Sequence, residues 1–108
     1  MSSDKYKEEA GRIIEGRIED LRIKSFEEAS ALPEADSEDC LVAGEKVTIT
    51  VFRQNSPYQL EGKILVTVLV AKPELFGMAT SHIERGLVFS PNEQAREAKE
   101  HELQNTGG

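Results

Sequence analysis

The sequence predicts an α+β fold in which an N-terminal amphipathic helix and a short second helix pack on an antiparallel β-meander of three or four strands. Three observations predict it: helical periodicity near the N-terminus, strand-like alternation between residues 41 and 90, and turn-forming residues between the alternating segments. With 108 residues, the chain is expected to form a single domain over residues 1–108, because this length is sufficient to bury one hydrophobic core.

The first helix is predicted over residues 4–24, where apolar side chains recur at helical spacing. The stripe comprises Tyr6, Ala10, Ile13, Ile14, Ile18 and Leu21. The sequence SFEE that follows, from Ser25 to Glu28, has the form of a capping box and predicts a second short helix ending at Pro33. Residues 33–39 are acidic and lack aliphatic periodicity, so they are interpreted as a solvated connector.

Three strands are predicted, over residues 47–52, 63–71 and 80–89, with Gly86 marking a bulge in the third. Two interpretations of the C-terminal part stay open. One is a continuous helix from Ser90 to Leu103; the other, which we favour, is a hairpin into a short edge strand followed by one helical turn. Residues 104–108 are expected to form a flexible tail.

The segment KILVTVLVA, residues 63–71, is apolar on both faces of its predicted strand. The even-numbered side chains are expected to pack against the first helix together with those of residues 47, 49 and 51. Leu65, Leu69 and Phe52 then share the opposite face, which needs a second cover. A two-fold homodimer that packs these three residues against their copies is the predicted solution.

Composition excludes several function classes. Twenty acidic and thirteen basic residues give a net charge of -7, which disfavours nucleic acid as a partner because the basic residues are scattered. The single Cys40 cannot form an internal disulfide, and the sequence has no apolar run long enough to cross a bilayer. We therefore expect a cytoplasmic protein without membrane attachment. No zinc set, phosphate-binding loop or nucleophile motif is recognisable, so no metal or cofactor is expected.

Three polar residues are candidates for a ligand-binding site. Arg17 falls inside the apolar stripe of the first helix, where it either pairs with a carboxylate of the sheet or recognises an anionic ligand. His82 and Glu84 share a face of the third predicted strand, and a His–carboxylate pair at this spacing is suited to acid–base chemistry. The same spacing is also common on solvated strands.

The predicted order of helix, short helix and strands resembles small helix-on-sheet architectures such as the cystatin-like class. This likeness implies a fold and no activity. Because catalytic motifs are absent and a second apolar sheet face is present, the sequence favours a small acidic, non-enzymatic module that binds proteins, of partner-binding or immunity type. The alternative is a cone-like small-molecule-binding protein or enzyme with a pocket between helix and sheet.

Overall fold

The structure, a computed structural model, describes residues 2–56, 60–72 and 81–104. Within these ranges the helices are α1 (Ser2–Arg22), α2 (Phe26–Ser30) and α3 (Glu100–Gln104). The strands are β1 (Ala35–Val42), β2 (Glu45–Asn55), β3 (Ile64–Lys72), β4 (Ser81–Ser90) and β5 (Glu93–Glu97). The fold is α+β as predicted, but the sheet has five strands instead of three or four.

The five strands pair antiparallel in chain order, β1-β2-β3-β4-β5. β1 and β2 are joined by Ala43 and Gly44, whose φ angles are 50° and 79°. Two consecutive residues with positive φ form the tight turn whose twist matches that of the flanking strands. This turn pairs Val42 with Glu45 and so fixes the register of the first hairpin.

β1 contains residues 35–39, which the sequence predicts as part of a connector. Their side chains are exposed, as in a connector, but their backbone pairs with β2 from Ala35 opposite Phe52 onward. A strand at the edge of a sheet pairs on one side only, and both of its faces can be exposed to solvent. It therefore does not need alternating apolar and polar residues. The strand count is corrected for this reason.

α1 lies across one face of the sheet and buries its apolar stripe there. The buried helix residues are Tyr6, Ala10, Ile14, Ile18 and Leu21, and the sheet residues around them are Val42, Val47, Ile49, Ile64, Val66, Val68, Val70, Leu87 and Phe89. Ile13 and Val51, which belong to the predicted core, are partly buried against this cluster. The predicted packing of the first helix on the even-numbered side chains of β3 is confirmed.

α2 begins with the predicted capping box. The Ser25 hydroxyl accepts a hydrogen bond from the Glu28 backbone at 3.1 Å, and the Glu28 carboxylate accepts one from the Ser25 N–H at 2.9 Å. The second of these bonds lowers the pKa of Glu28. Ala29 is buried in the same core as α1. α2 therefore lies on the α1 side and does not contribute to covering the opposite face of the sheet.

The C-terminal part forms a hairpin and a helical turn, which is the favoured one of the two sequence interpretations. β5 pairs with β4, and α3 follows after two residues. The irregularity in this pairing lies between Val88 and Ser90, whereas Gly86 pairs regularly with Thr67 of β3. The predicted bulge at Gly86 is therefore wrong. The tail prediction falls, apart from Gln104, outside the described residues.

Candidate functional site

The sheet face turned away from α1, called here the far face, is divided into two halves. Side chains alternate between the two faces of each strand. On a given strand, the residues immediately before and after a core residue therefore point to the far face. On β3 these residues are Leu65, Thr67, Leu69 and Ala71. Leu65 is fully buried, Thr67 is nearly so, and Leu69 is half-buried. Burial of the far face therefore decreases along one strand.

The covered half of the far face is a second hydrophobic cluster formed by the chain itself. It comprises Leu60, Leu65 and Val88, with Ala98 and Leu103 packed on them. At Gly86 the packing is tight: an added Cβ would lie 2.9 Å from a δ-methyl carbon of Leu103 and 2.9 Å from the Val66 carbonyl oxygen. Glycine at position 86 thus provides the space in which α3 sits against the sheet.

α3 is held in this position by an ion pair as well as by Leu103. Arg96 on β5 donates two hydrogen bonds to the Glu102 carboxylate, at 2.9 and 2.7 Å. One oxygen of Glu102 also accepts from the backbone N–H of Lys99 at 2.7 Å, which caps the helical turn. The hydrogen bonds to Glu102 raise the pKa of Arg96. A bidentate pair of this kind fixes orientation as well as position.

The open half of the far face lies on β1, β2 and β3. Its large apolar members are Phe52, which is 37% exposed, the half-buried Leu69, and Leu41, which is 72% exposed at the far end. Small residues fill the space between them. The hydroxyls of Ser37 and Thr50 form a hydrogen bond of 2.8 Å across the strands.

Charge on the open half is largely neutralised. The Thr48 hydroxyl donates to Asp39 at 3.0 Å, and Lys46 lies 3.6 Å from the second oxygen of the same carboxylate. Glu84, opposite Leu69 in the β3–β4 register, is half-buried at the border of this half. The chain as a whole carries a net charge of -7, so its negative charge is concentrated elsewhere. The open half thus combines apolar side chains and hydroxyls with one ion pair, Asp39–Lys46, and has Glu84 at its border.

Among the residues predicted to form the interface, Phe52, Leu65 and Leu69 all lie on the far face. Leu65 is covered by its own chain, so it offers no surface to a partner in this structure. Phe52 and Leu69 retain exposed surface and belong to the open half. The sequence lacked a signal for this division, because the contact between Leu103 and Leu65 joins segments that are distant along the chain.

Arg17 and Glu84, both predicted to bind a ligand, lie on opposite sides of the sheet. Arg17 is on the α1 side and forms an ion pair with Glu38 of β1, as in the first interpretation of its position. It also lines a cleft of about 190 Å³ whose other polar residues include Asp20 and Asp36. Arg17 is therefore neutralised by Glu38, beside a cleft lined by two carboxylates and four apolar residues. Of His82 only the backbone is described, in register with Ala71.

Arg85 is a structural residue that the sequence reasoning missed. It lies on the α1 side of β4, where it forms ion pairs with Glu15 of α1 and Glu97 of β5. The hydrogen bonds that Arg85 donates to Glu97 first and then to Glu15 raise the pKa of Arg85, and the same contact with Arg85 lowers the pKa of Glu15. The available signal was its position between Ile83 and Leu87 in an otherwise apolar row, the same signal that singled out Arg17.

Two kinds of site are not found among the residues that the structure describes. No group of three or more His, Cys, Asp or Glu side chains in that part of the chain is arranged to hold a metal ion. No helix in the same ranges combines the length and the apolar character needed to cross a membrane.

Comparison of the chain with protein-family models, with curated proteins and with solved structures gives no match. The far face remains the candidate site on geometry alone.

Proposed function

We propose that this chain is a non-enzymatic interaction module that binds a protein partner through the open half of the far face, and that the partner is a second copy of the chain. The observation that carries the proposal is the exposed, nearly neutral surface around Phe52 and Leu69 on an otherwise acidic molecule. Exposed apolar surface on a sheet is favourable to bury, and a two-fold axis buries it on both copies with one contact.

The packing on the α1 side of the sheet favours a function in surface binding and disfavours an internal ligand pocket. Ile14, Ile18 and Val68 are fully buried where α1 crosses the sheet, so the described side chains fill this space. The cleft beside Arg17 is lined by Asp20 and Asp36, which oppose an anionic ligand. These features disfavour the alternative of a cone-like ligand-binding protein or enzyme.

The charge distribution favours a second copy over a charged partner. Two molecules with a net charge of -7 repel each other, and this cost is smallest when they meet on surfaces that carry little charge. The ion pair between Lys46 and Asp39 and the hydrogen bond between Ser37 and Thr50 satisfy polar groups of the open half within one chain. A basic partner would find few unpaired carboxylates there.

The size of the open half sets the expected affinity. It spans β1, β2 and β3 over the length of residues 35–41. At about 4.8 Å between strands and about 3.3 Å per residue, this corresponds to roughly 300 Å² of sheet. A stable interface buries about 800 Å² per partner, so we expect a weak dimer with a dissociation constant on the order of 100 µM.

Sedimentation equilibrium over a wide concentration range tests the proposal. The average mass of the wild-type chain should rise from 12.0 kDa towards twice that value as the concentration approaches 1 mM, roughly ten times the expected dissociation constant. Phe52→Lys should abolish this rise because it places an unpaired charge in the interface. Phe52 is partly exposed, so the monomer should stay folded.

Ile23→Lys is the matched control. Ile23 is 85% exposed, outside the far face, and the substitution changes charge and hydrophobicity in the same way. This variant should dimerise like the wild type. A wild-type mass that stays at 12.0 kDa throughout, or an equal loss of dimer in both variants, would refute the proposal.

A further inference from the structure

β1 has one row of backbone groups that no strand of the described part of the chain pairs with. β1 lies at the edge of the sheet next to β2, and at the start of their ladder the Arg53 N–H donates to the Glu34 carbonyl at 2.9 Å. Hydrogen-bonded pairs in an antiparallel ladder fall on every second residue, so the even-numbered residues of β1 bond to β2. The N–H and C=O groups that point away from the sheet are those of Ala35, Ser37, Asp39 and Leu41.

This free edge of β1 is exposed and long. Residues 35–39 are exposed, and so is Leu41. β1 has eight residues, whereas β5 at the opposite edge of the sheet has five. Strands in globular proteins are usually about five or six residues long, so the free edge of β1 has room for a complete additional strand.

The charges along the free edge select the kind of strand that it can accept. The side chains of Asp36 and Glu38 lie on the α1 side and that of Asp39 lies on the far face, so both sides of the edge carry carboxylates. Glu38 pairs with Arg17 and Asp39 with Lys46, whereas Asp36 has no ion pair within the described residues. Side chains of neighbouring strands lie about 5 Å apart, where opposite charges attract. A basic strand therefore complements this edge.

The cleft beside Arg17 provides a place for one basic side chain of such a strand. It lies between α1 and the start of β1, and its two carboxylates, Asp20 and Asp36, form no ion pair with another described residue. Its apolar lining consists of Leu21, Leu32, Pro33 and Val51. A lysine or arginine side chain joins an apolar stem to a charged head, so the stem can pack on this lining while the head lies beside the carboxylates.

We infer that the free edge of β1 binds an extended segment of a partner protein, rich in lysine or arginine, as a sixth strand with one basic side chain in the cleft beside Arg17. Hydrogen bonds to the outward backbone groups supply affinity, and the charged side chains supply specificity. The added strand lies beside β1 in the plane of the sheet and leaves the open half of the far face exposed. This contact is therefore additional to the proposed dimer and does not depend on it.

Amide hydrogen exchange of the full chain, followed by NMR at low salt, tests the inference. The probe is a peptide as long as β1, blocked at both ends, in which lysine and threonine alternate. At about 1 mM peptide, the amides of Ser37, Asp39 and Leu41 should exchange about tenfold more slowly, because they gain hydrogen bonds that they lack in the free chain. A peptide with glutamate in place of lysine should give no protection, since its charges repel the carboxylates of β1.

Two pairs of variants separate strand addition from attraction between charges. Ser37→Pro removes one outward N–H, whereas Ser37→Ala, the matched control, removes the same hydroxyl and keeps the N–H. Ser37→Pro should weaken binding of the lysine peptide about fivefold relative to Ser37→Ala. Asp36→Asn should weaken it more than Glu61→Gln, which removes one negative charge at an exposed position outside the free edge.

The wild-type exchange pattern decides the inference even if Ser37→Pro fails to fold. No binding of the lysine peptide at about 1 mM, or binding without protection of the Ser37, Asp39 and Leu41 amides, would overturn strand addition. Equal peptide affinity of folded Ser37→Pro and Ser37→Ala would do the same. Equal losses in Asp36→Asn and Glu61→Gln would overturn the placement of a basic side chain in the cleft.

Discussion

The two faces of the sheet are built from the same strands but buried in different ways. The α1 side is covered by a long helix whose apolar side chains interlock with the even-numbered residues of β3. On the far face, Leu65 and Val88 are covered by Leu60, Ala98 and Leu103, whereas Phe52 and Leu69 keep exposed surface. The comparison suggests a division of roles: the α1 side stabilises the fold, and the far face is available for binding.

The strongest way to break this comparison is to delete an equal volume from each face. Ile14→Ala should lower the free energy of unfolding by about 3 kcal/mol, because it leaves a cavity in a fully buried site. Leu69→Ala on the half-buried open half should cost about 1 kcal/mol or less. Urea unfolding at low micromolar protein concentration, where the monomer is measured, gives both values. Equal losses would contradict the proposed division of roles.

Substitution of two separate glycines, Gly86 and Gly16, compares the packing of α3 on the far face with the exposed surface of α1. Gly86→Ala should destabilise the fold by about 2 kcal/mol, because the new Cβ meets Leu103 and the Val66 carbonyl oxygen at 2.9 Å. Gly16→Ala on α1 meets nothing within 4 Å and should stabilise the fold by about 0.5 to 1 kcal/mol through improved helix propensity. Thermal unfolding of both variants measures the two opposite signs. A neutral Gly86→Ala would mean that α3 is not seated as described.

The smallest expected effect concerns the ion pairs at the border of the α1 side. Arg85 lowers the pKa of Glu15 below its ordinary value of 4.5. A carboxylate with a lowered folded-state pKa contributes stability that is fully present above pH 4.5 and is lost as the pH falls through the folded-state pKa. Glu15→Gln should therefore lower the urea midpoint slightly at pH 7, and the difference from wild type should vanish in acid.

The control for removing one negative charge is Glu61→Gln, at an exposed position between β2 and β3. Urea midpoints of the wild type and both variants are compared between pH 7 and strongly acidic pH. A Glu15→Gln midpoint that follows the wild type at every pH would show that the Glu15–Arg85 pair contributes no measurable stability.

The sequence was sufficient to predict the α1 side because that side depends on local periodicity. The stripe containing Ile14 and Ile18 and the alternation through Val66 and Val68 are visible without knowledge of the fold. Ser25 likewise predicts its helix start because the capping partners are three residues apart.

The remaining features depend on contacts between distant segments. β1 escaped prediction because an edge strand needs little apolar alternation, and its pairing is imposed by the turn at Ala43 and Gly44. The burial of Leu65 by the C-terminal segment was not predicted, because five residues are too few to show a clear helical pattern. Only the folded chain brings Leu103 next to Gly86. The sequence thus predicted that Phe52 and Leu69 lie on the far face, but it did not predict which part of that face is exposed.

The acidic edge formed by β1 has a consequence for aggregation. An unpaired strand edge is a template on which further strands can add, and edge-to-edge pairing leaves new free edges that continue the growth into fibres. Two β1 edges that met in this way would bring Asp36, Glu38 and Asp39 of one molecule close to the same carboxylates of the next. The edge therefore opposes open-ended growth and leaves closed, face-to-face association as the less costly contact between copies.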